Sequence, residues 1–171
     1  HFSPYFDFEI GVPTNLAIDA LALLFAAFLP VDIAGRLFLS LVIGFTMAAP
    51  LFLSKVVHGK LTIMGLLFSV FIFNDAFLMG FLNFLFGTAL AIFGFGLHLI
   101  MDKRGTNAWK RVLVGTLIAI AVFVSHIYGF AVYGICIGSY YLARLGFRDL
   151  KKLALNAVQF IPASILLALF V

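Results

Sequence analysis

From Leu61 to Met101 the chain runs 41 residues without a single Lys or Arg. A hydrocarbon layer ~30 Å thick takes about 20 apolar residues in helical form, so this stretch is long enough to cross twice and too long to cross once. The same rhythm holds elsewhere. Ten of the eleven basic side chains fall in three short segments: Lys55 and Lys60; Lys103, Arg104, Lys110 and Arg111; and Arg144, Arg148, Lys151 and Lys152. Each separates long apolar runs, the arrangement of cytoplasmic loops under the positive-inside bias.

Composition removes the alternatives. Of 171 residues, 64% are hydrophobic and 11% charged, with a mean hydropathy of +1.20. Soluble domains are about 45–50% apolar and ~25% charged, so too few polar side chains are present to cover a water-exposed globule. The single cysteine, Cys136, excludes a disulfide scaffold, and 22 Phe exclude a disordered chain. A net charge of +4 does not point to nucleic acid, because the cations sit in the loops, facing anionic headgroups.

The expected fold class is therefore all-α, a polytopic helical integral membrane protein with about six spans plus one short interfacial or re-entrant helix. The spans are read at 36–54, 61–77, 79–101, 112–126, 129–144 and 153–171. Breaks are read at Asn74-Asp75 and at Ser125-His126, and Pro50 is expected to kink the span that holds it. Asn15 to Leu29, closed by Pro30, covers only about 22 Å as a helix and carries Asp19, so it is read as interfacial or re-entrant. Pro30, Asp32, Gly35 and Arg36 are read as a polar break after it. The whole of 1–171 forms one transmembrane domain, with an outer interfacial segment over 1–35 and the spans over 36–171. His1, with no basic region ahead of an apolar stretch, is read as an expectation of no signal peptide. An end inside an apolar run is read as a piece of a longer chain. The location read from these features is a bacterial inner membrane, basic loops on the cytoplasmic side.

Candidate functional residues fall into three groups. Gly80, Asn83, Gly87, Ala91 and Gly94, with His98 beyond them, recur at three- or four-residue spacing and are expected on one helix face. Such a face either lets another helix approach closely, with Asn83 hydrogen-bonding across the contact, or lines a substrate groove. Gly134 and Gly138 form a GxxxG match of the same kind. On the non-basic side, Asp19, Asp32, Arg36, Asp75 and His126 fall at breaks. They read either as a shallow outer site for a divalent ion or general-base work, or as caps and turn residues, with Asp32 and Arg36 pairing at i,i+4. Neither His58 nor His98 has a partner at metal-ligand spacing, Cys136 reads as packing, and no nucleotide or hydrolase motif is present. No cofactor is expected; bound lipid suits the Phe-rich faces.

The aromatic, acidic segment holding Asp7 and Glu9, then Pro13-Thr14-Asn15-Leu16, then Pro30-Val31-Asp32-Ile33-Ala34-Gly35-Arg36-Leu37 opening a span, resembles the early part of C-type integral-membrane glycosyltransferases. The breaks at Phe73-Asn74-Asp75 and Ser125-His126 resemble outer turns of such proteins. The resemblance covers about residues 1–130. It implies transfer of a sugar from a polyprenyl-phosphate donor by an outer-loop acid, here Asp7 or Glu9, often with a divalent metal ion. Two functions thus stand as expectations: a non-catalytic integral membrane subunit packing with other membrane subunits in a larger complex, and the membrane core of a glycosyltransferase using a lipid-linked sugar donor.

Overall fold

A computed structural model describes residues 14–70, 74–146 and 149–170. Asp7, Glu9 and Arg148 lie outside these. The described residues form α-helices and one 3-10 turn, with no strand: α1 (Leu16–Ala26), α2 (Val31–His58), α3 (Ile63–Val70), α4 (Asp75–Leu78), α5 (Leu82–Lys103), α6 (Ala108–Ser125), α7 (Ile127–Leu145), α8 (Leu150–Ala157), the 3-10 turn Val158–Phe160, and α9 (Ile161–Phe170). Among the described residues, four segments are long and apolar enough to cross a membrane: Val31–His58, Leu82–Lys103, Ala108–Ser125 and Leu150–Leu169. The protein is thus a helical bundle of membrane-spanning character.

α5 is the central helix, packed against α2, α6 and α7. Its contact with α2 is a ladder of rings, Phe93 lying 4.6 Å from Phe45 and 5.1 Å from Phe52. Phe45 also meets Phe86 while Phe52 meets Phe93, so α2 and α5 run in the same direction. On its other side Ala91 joins Ala119 and Val122 of α6 and Tyr133, Ile137 and Tyr141 of α7 in the core. A smaller core at the opposite end joins Ile18 of α1 to Phe38 and Val42 of α2.

Several expectations change. The break falls between Ala26 and Val31 and includes Pro30, while Asp32, Gly35 and Arg36 lie inside α2: Pro30 is the N-cap of α2, and its carbonyl accepts from the amides of Ile33 and Ala34. Proline fits there because the first helical amides have no intrahelical partner. α2 then continues past Pro50 to His58. Asp32 and Arg36 are both exposed and form no ion pair. Gly80 does not belong to the α5 face, because it sits in a left-handed turn (φ 77°) before the helix begins.

The break at Asn74-Asp75 leads the sequence to pair Leu61–Phe73 with Met79–Met101 as antiparallel neighbours; the described part of the first, α3, packs against α2 instead. Hydroxyls decide this. Ser54 Oγ lies 2.8 Å from Thr62 Oγ1 and accepts from the Thr62 amide, while Ser69 Oγ donates to the Met47 carbonyl at 2.9 Å. Gly65 permits the contact, since a Cβ there would lie 2.9 Å from Ser54 Cβ.

The break at His126 is present. Its extended backbone ends α6, and its Nδ1 accepts from the Tyr128 amide to cap α7. The last long segment is three pieces, α8, the 3-10 turn and α9. The basic segments gather at one end of the bundle. Lys103 Nζ donates to the Val56 carbonyl at 2.7 Å, joining the ends of α2 and α5, and Asp102 joins those of α5, α6 and α7.

Candidate functional site

The small-residue seam of α5 is spent on contacts within the chain. A Cβ on Gly87 would lie 3.0 Å from His126 Cβ, and one on Gly94 would collide with Ile118 Cγ2. Gly129 of α7 sits directly on the Gly87 backbone. Asn83 does bond across a contact. Its Oδ1 accepts from the Ile18 amide at 3.2 Å and its Nδ2 donates to the Asn15 carbonyl at 2.9 Å. Asn15, at the N-cap of α1, makes no side-chain cap, so Asn83 supplies the acceptor that a helix N-terminus lacks. Gly134 and Gly138 are different: Gly138 is exposed, with nothing within 4 Å of where its Cβ would be.

The outer polar residues are not brought together. Asp19, Asp32, Arg36 and Asp75 are exposed and share no hydrogen bond or ion pair. Asn74 caps α4 by accepting from the Phe77 amide at 3.1 Å, and Asp75 occupies its first turn. His126 packs against Phe84 and Tyr128, and burial holds its pKa below the ordinary value. Among the described residues no three His, Cys, Asp or Glu could hold a metal together.

The densest polar cluster lies at the other end and went unread in the sequence. Asp102 accepts from Arg111 Nη1 at 2.8 Å and from Tyr140 Oη at 2.7 Å, and also from Arg144. One turn back, buried His98 meets Tyr141 Oη at 2.9 Å. One acid between two guanidiniums fastens three helix ends. The available signal was that Asp102 is the one acid amid the basic residues flanking α5 and α6.

One space able to hold a ligand is a cleft of about 520 Å³ between α2, α3 and α5. Small-molecule sites usually measure ~300–1,000 Å³. Its walls are apolar (Leu53, Phe68, Ile92) with polar groups at three depths. Ser54, His58 and Thr62 lie toward the basic end, Thr88 midway, and Asn74 beside Phe84 at the other end. Thr88 Oγ1 is buried without a hydrogen-bond partner. That is unusual, because a helical Thr hydroxyl normally returns to a carbonyl one turn back. The cleft can take a long apolar chain, and the Thr88 side chain lines it part-way along. No family model, curated protein or solved structure matches the chain.

Proposed function

We propose that this chain is the membrane core of a protein that acts on a lipid-linked substrate, with the lipid portion held between α2, α3 and α5. The observation that carries the reading is the 520 Å³ apolar cleft reaching from the Ser54–Thr62 hydroxyls to Asn74. Glycosyl transfer from a polyprenyl-phosphate donor is the chemistry implied by the resemblance of the first 130 residues. Asp7 or Glu9 would then be the acid, with a divalent ion as its partner. In this reading α3 with α4, and α7, also cross, making six crossings in a bacterial inner membrane with the basic end cytoplasmic. α7, at 19 residues, is about 28 Å long, close to the hydrocarbon thickness.

A second reading, a non-catalytic subunit bound to other membrane subunits, is favoured by the outward face of α3. Ile63 and Val70 there are 77% and 65% exposed. Packing through Gly87 and Gly94 does not support it, since both are covered within the chain.

The test is photocrosslinking with a diazirine-bearing polyprenyl phosphate in proteoliposomes, followed by peptide mapping. Adducts are expected on α2, α3 and α5, and Thr88→Trp is expected to suppress them by filling the cleft. Adducts spread evenly over the bundle, or undiminished in Thr88→Trp, reject the lipid-substrate reading. Recovery of a stoichiometric partner in mild detergent without such adducts establishes the subunit reading.

A further inference from the structure

The two ends of the cleft between α2, α3 and α5 differ in charge. At the basic end it is lined by Ser54, His58 and Thr62. Lys60 stands beside it, its carbonyl accepting from Ser54 Oγ at 3.4 Å, and Lys55 precedes His58 by three residues on the same face of α2. Both lysines are exposed, and neither belongs to an ion pair among the described residues. At the other end the cleft reaches Asn74, which is followed by the exposed carboxylate of Asp75. No Lys or Arg offsets that acid between Leu61 and Met101.

The helix ends at the basic mouth admit an anion. α2 finishes there, and its last carbonyls would repel one if left open. Two of them are taken: the Lys55 carbonyl accepts from the Gly59 amide at 2.9 Å, and the Val56 carbonyl accepts from Lys103 Nζ at 2.7 Å. α3 begins at the same mouth, so the positive end of its dipole lies there. His58 adds a ring N–H donor, which imidazole keeps whether neutral or charged.

Length and volume limit the occupant. From Thr46 to His58 the α2 wall rises about 18 Å at ~1.5 Å per residue. A methylene group takes about the space of a water molecule, roughly 30 Å³, so 520 Å³ holds about 17 of them. That is one chain of about three isoprene units, and not the two chains of a diacyl lipid.

We propose that the lipid lies in this cleft with its phosphate at the basic mouth, on Lys60 and His58, and its single chain running from there toward Asn74. The inference rests on the lipid-substrate reading and adds to it the residues that take the phosphate and the polarity of the bound lipid. The resemblance to glycosyltransferases, with its outer-loop acid, would put the phosphate at the opposite end.

The test is photocrosslinking in proteoliposomes with two farnesyl phosphate probes, one carrying the diazirine on the isoprene unit next to the phosphate and the other on the last unit. The first is expected to label Leu53 and Val57, and the second Phe84 and Leu85. Lys60→Gln should raise the concentration needed for half-labelling about fivefold, the usual worth of one cation near an anionic headgroup. Labelling by an uncharged farnesol probe should not change in that variant. Lys110→Gln, at the start of α6 and away from the cleft, should leave both probes unaffected. Labelling in the reverse order, with the phosphate-side probe on Phe84, overturns the inference and leaves the lipid-substrate reading standing. An equal loss in Lys60→Gln and Lys110→Gln also overturns it, because membrane surface charge alone produces that result. So does equal competition by dioleoyl phosphatidic acid or by inorganic phosphate. Labelling of no cleft residue by either probe overturns the inference and the lipid-substrate reading together.

Discussion

Gly129 of α7 rests on the backbone of Gly87 in α5: a Cβ at 129 would lie 2.7 Å from the Gly87 carbonyl carbon and 2.8 Å from its oxygen. Neither atom can move without moving the central helix. The α5–α7 contact is thus made of backbone, and it sets how closely Tyr133 and Ile137 approach Ala91. Gly129→Ala is expected to destabilise the bundle by about 1–3 kcal/mol, the usual cost of forcing atoms into a filled core. Gly138→Ala meets nothing and replaces Gly in a helix interior, so it is expected to be neutral or to stabilise by up to about 1 kcal/mol. Thermal unfolding of the two variants in one detergent measures the difference, and equal loss in both would show that the seam does not hold the helices together.

Much of this seam was legible beforehand. Gly87, Ala91 and Gly94 repeat at helical spacing, and only small residues at that spacing let helices close up. The break at His126 was legible too, since a polar run interrupts a stretch too long for one crossing. The pairing of α3 was not. Periodicity shows that a segment is helical and apolar, whereas the choice between α2 and α5 rests on Ser54, Thr62 and Ser69, hydroxyls that look unremarkable in sequence. The three-helix clamp on Asp102 was hidden for a related reason: Arg111 and Arg144, each read as a loop charge facing headgroups, meet Asp102 only once the helix ends are gathered. The same holds for the cleft, whose walls come from three helices.

Asp102 should matter more than either arginine that it holds. Its side chain is 11% exposed, and it accepts bonds from Arg111, Tyr140 and Arg144. Asp102→Asn keeps the shape but removes the charge, leaving Arg111, 13% exposed, without a counter-ion in a confined site. A loss of about 1.5–3 kcal/mol is expected, the worth of hydrogen bonds to charged groups. Arg144 is 57% exposed, so solvent screens its pairing and Arg144→Gln should cost less than Asp102→Asn. Unfolding measurements that rank Arg144→Gln as the more damaging variant would refute the clamp.

Acid should loosen the turn between α6 and α7 before it affects the start of α8. Burial lowers the His126 pKa, so the unfolded chain takes up its proton first as the pH falls. The contribution is fully present above about 6.5, the ordinary imidazole value, and is lost as the pH drops below it. A proton on Nδ1 also removes the acceptor for the Tyr128 amide and sets positive charge at a helix N-terminus. Asp149, at the N-cap of α8, behaves as a carboxylate held down by hydrogen bonds from Lys152. Its contribution persists until the pH falls below about 3.9. Hydrogen exchange is expected to show faster exchange at the first turn of α7 at pH 5 than at pH 7.5, after correction for intrinsic rates, with the first turn of α8 unchanged. His126→Asn, which keeps a cap without a titrating group, should remove the difference at α7.

Thr88 separates stability from ligand binding at the cleft. Its hydroxyl is buried and unbonded, so the protein without ligand gains nothing from it. Thr88→Val keeps the side-chain shape and deletes that hydroxyl. Removing a polar group that has no partner relieves a desolvation cost of about 1–3 kcal/mol. The variant should therefore unfold at the same or a higher temperature than the parent. If the hydroxyl meets a polar group of a bound lipid, the same substitution should weaken crosslinking to the polyprenyl-phosphate probe. The two readouts then move in opposite directions, which no general damage to the fold produces. Lower stability together with unchanged crosslinking would place Thr88 in the framework of the bundle and leave the cleft with no group to recognise its ligand.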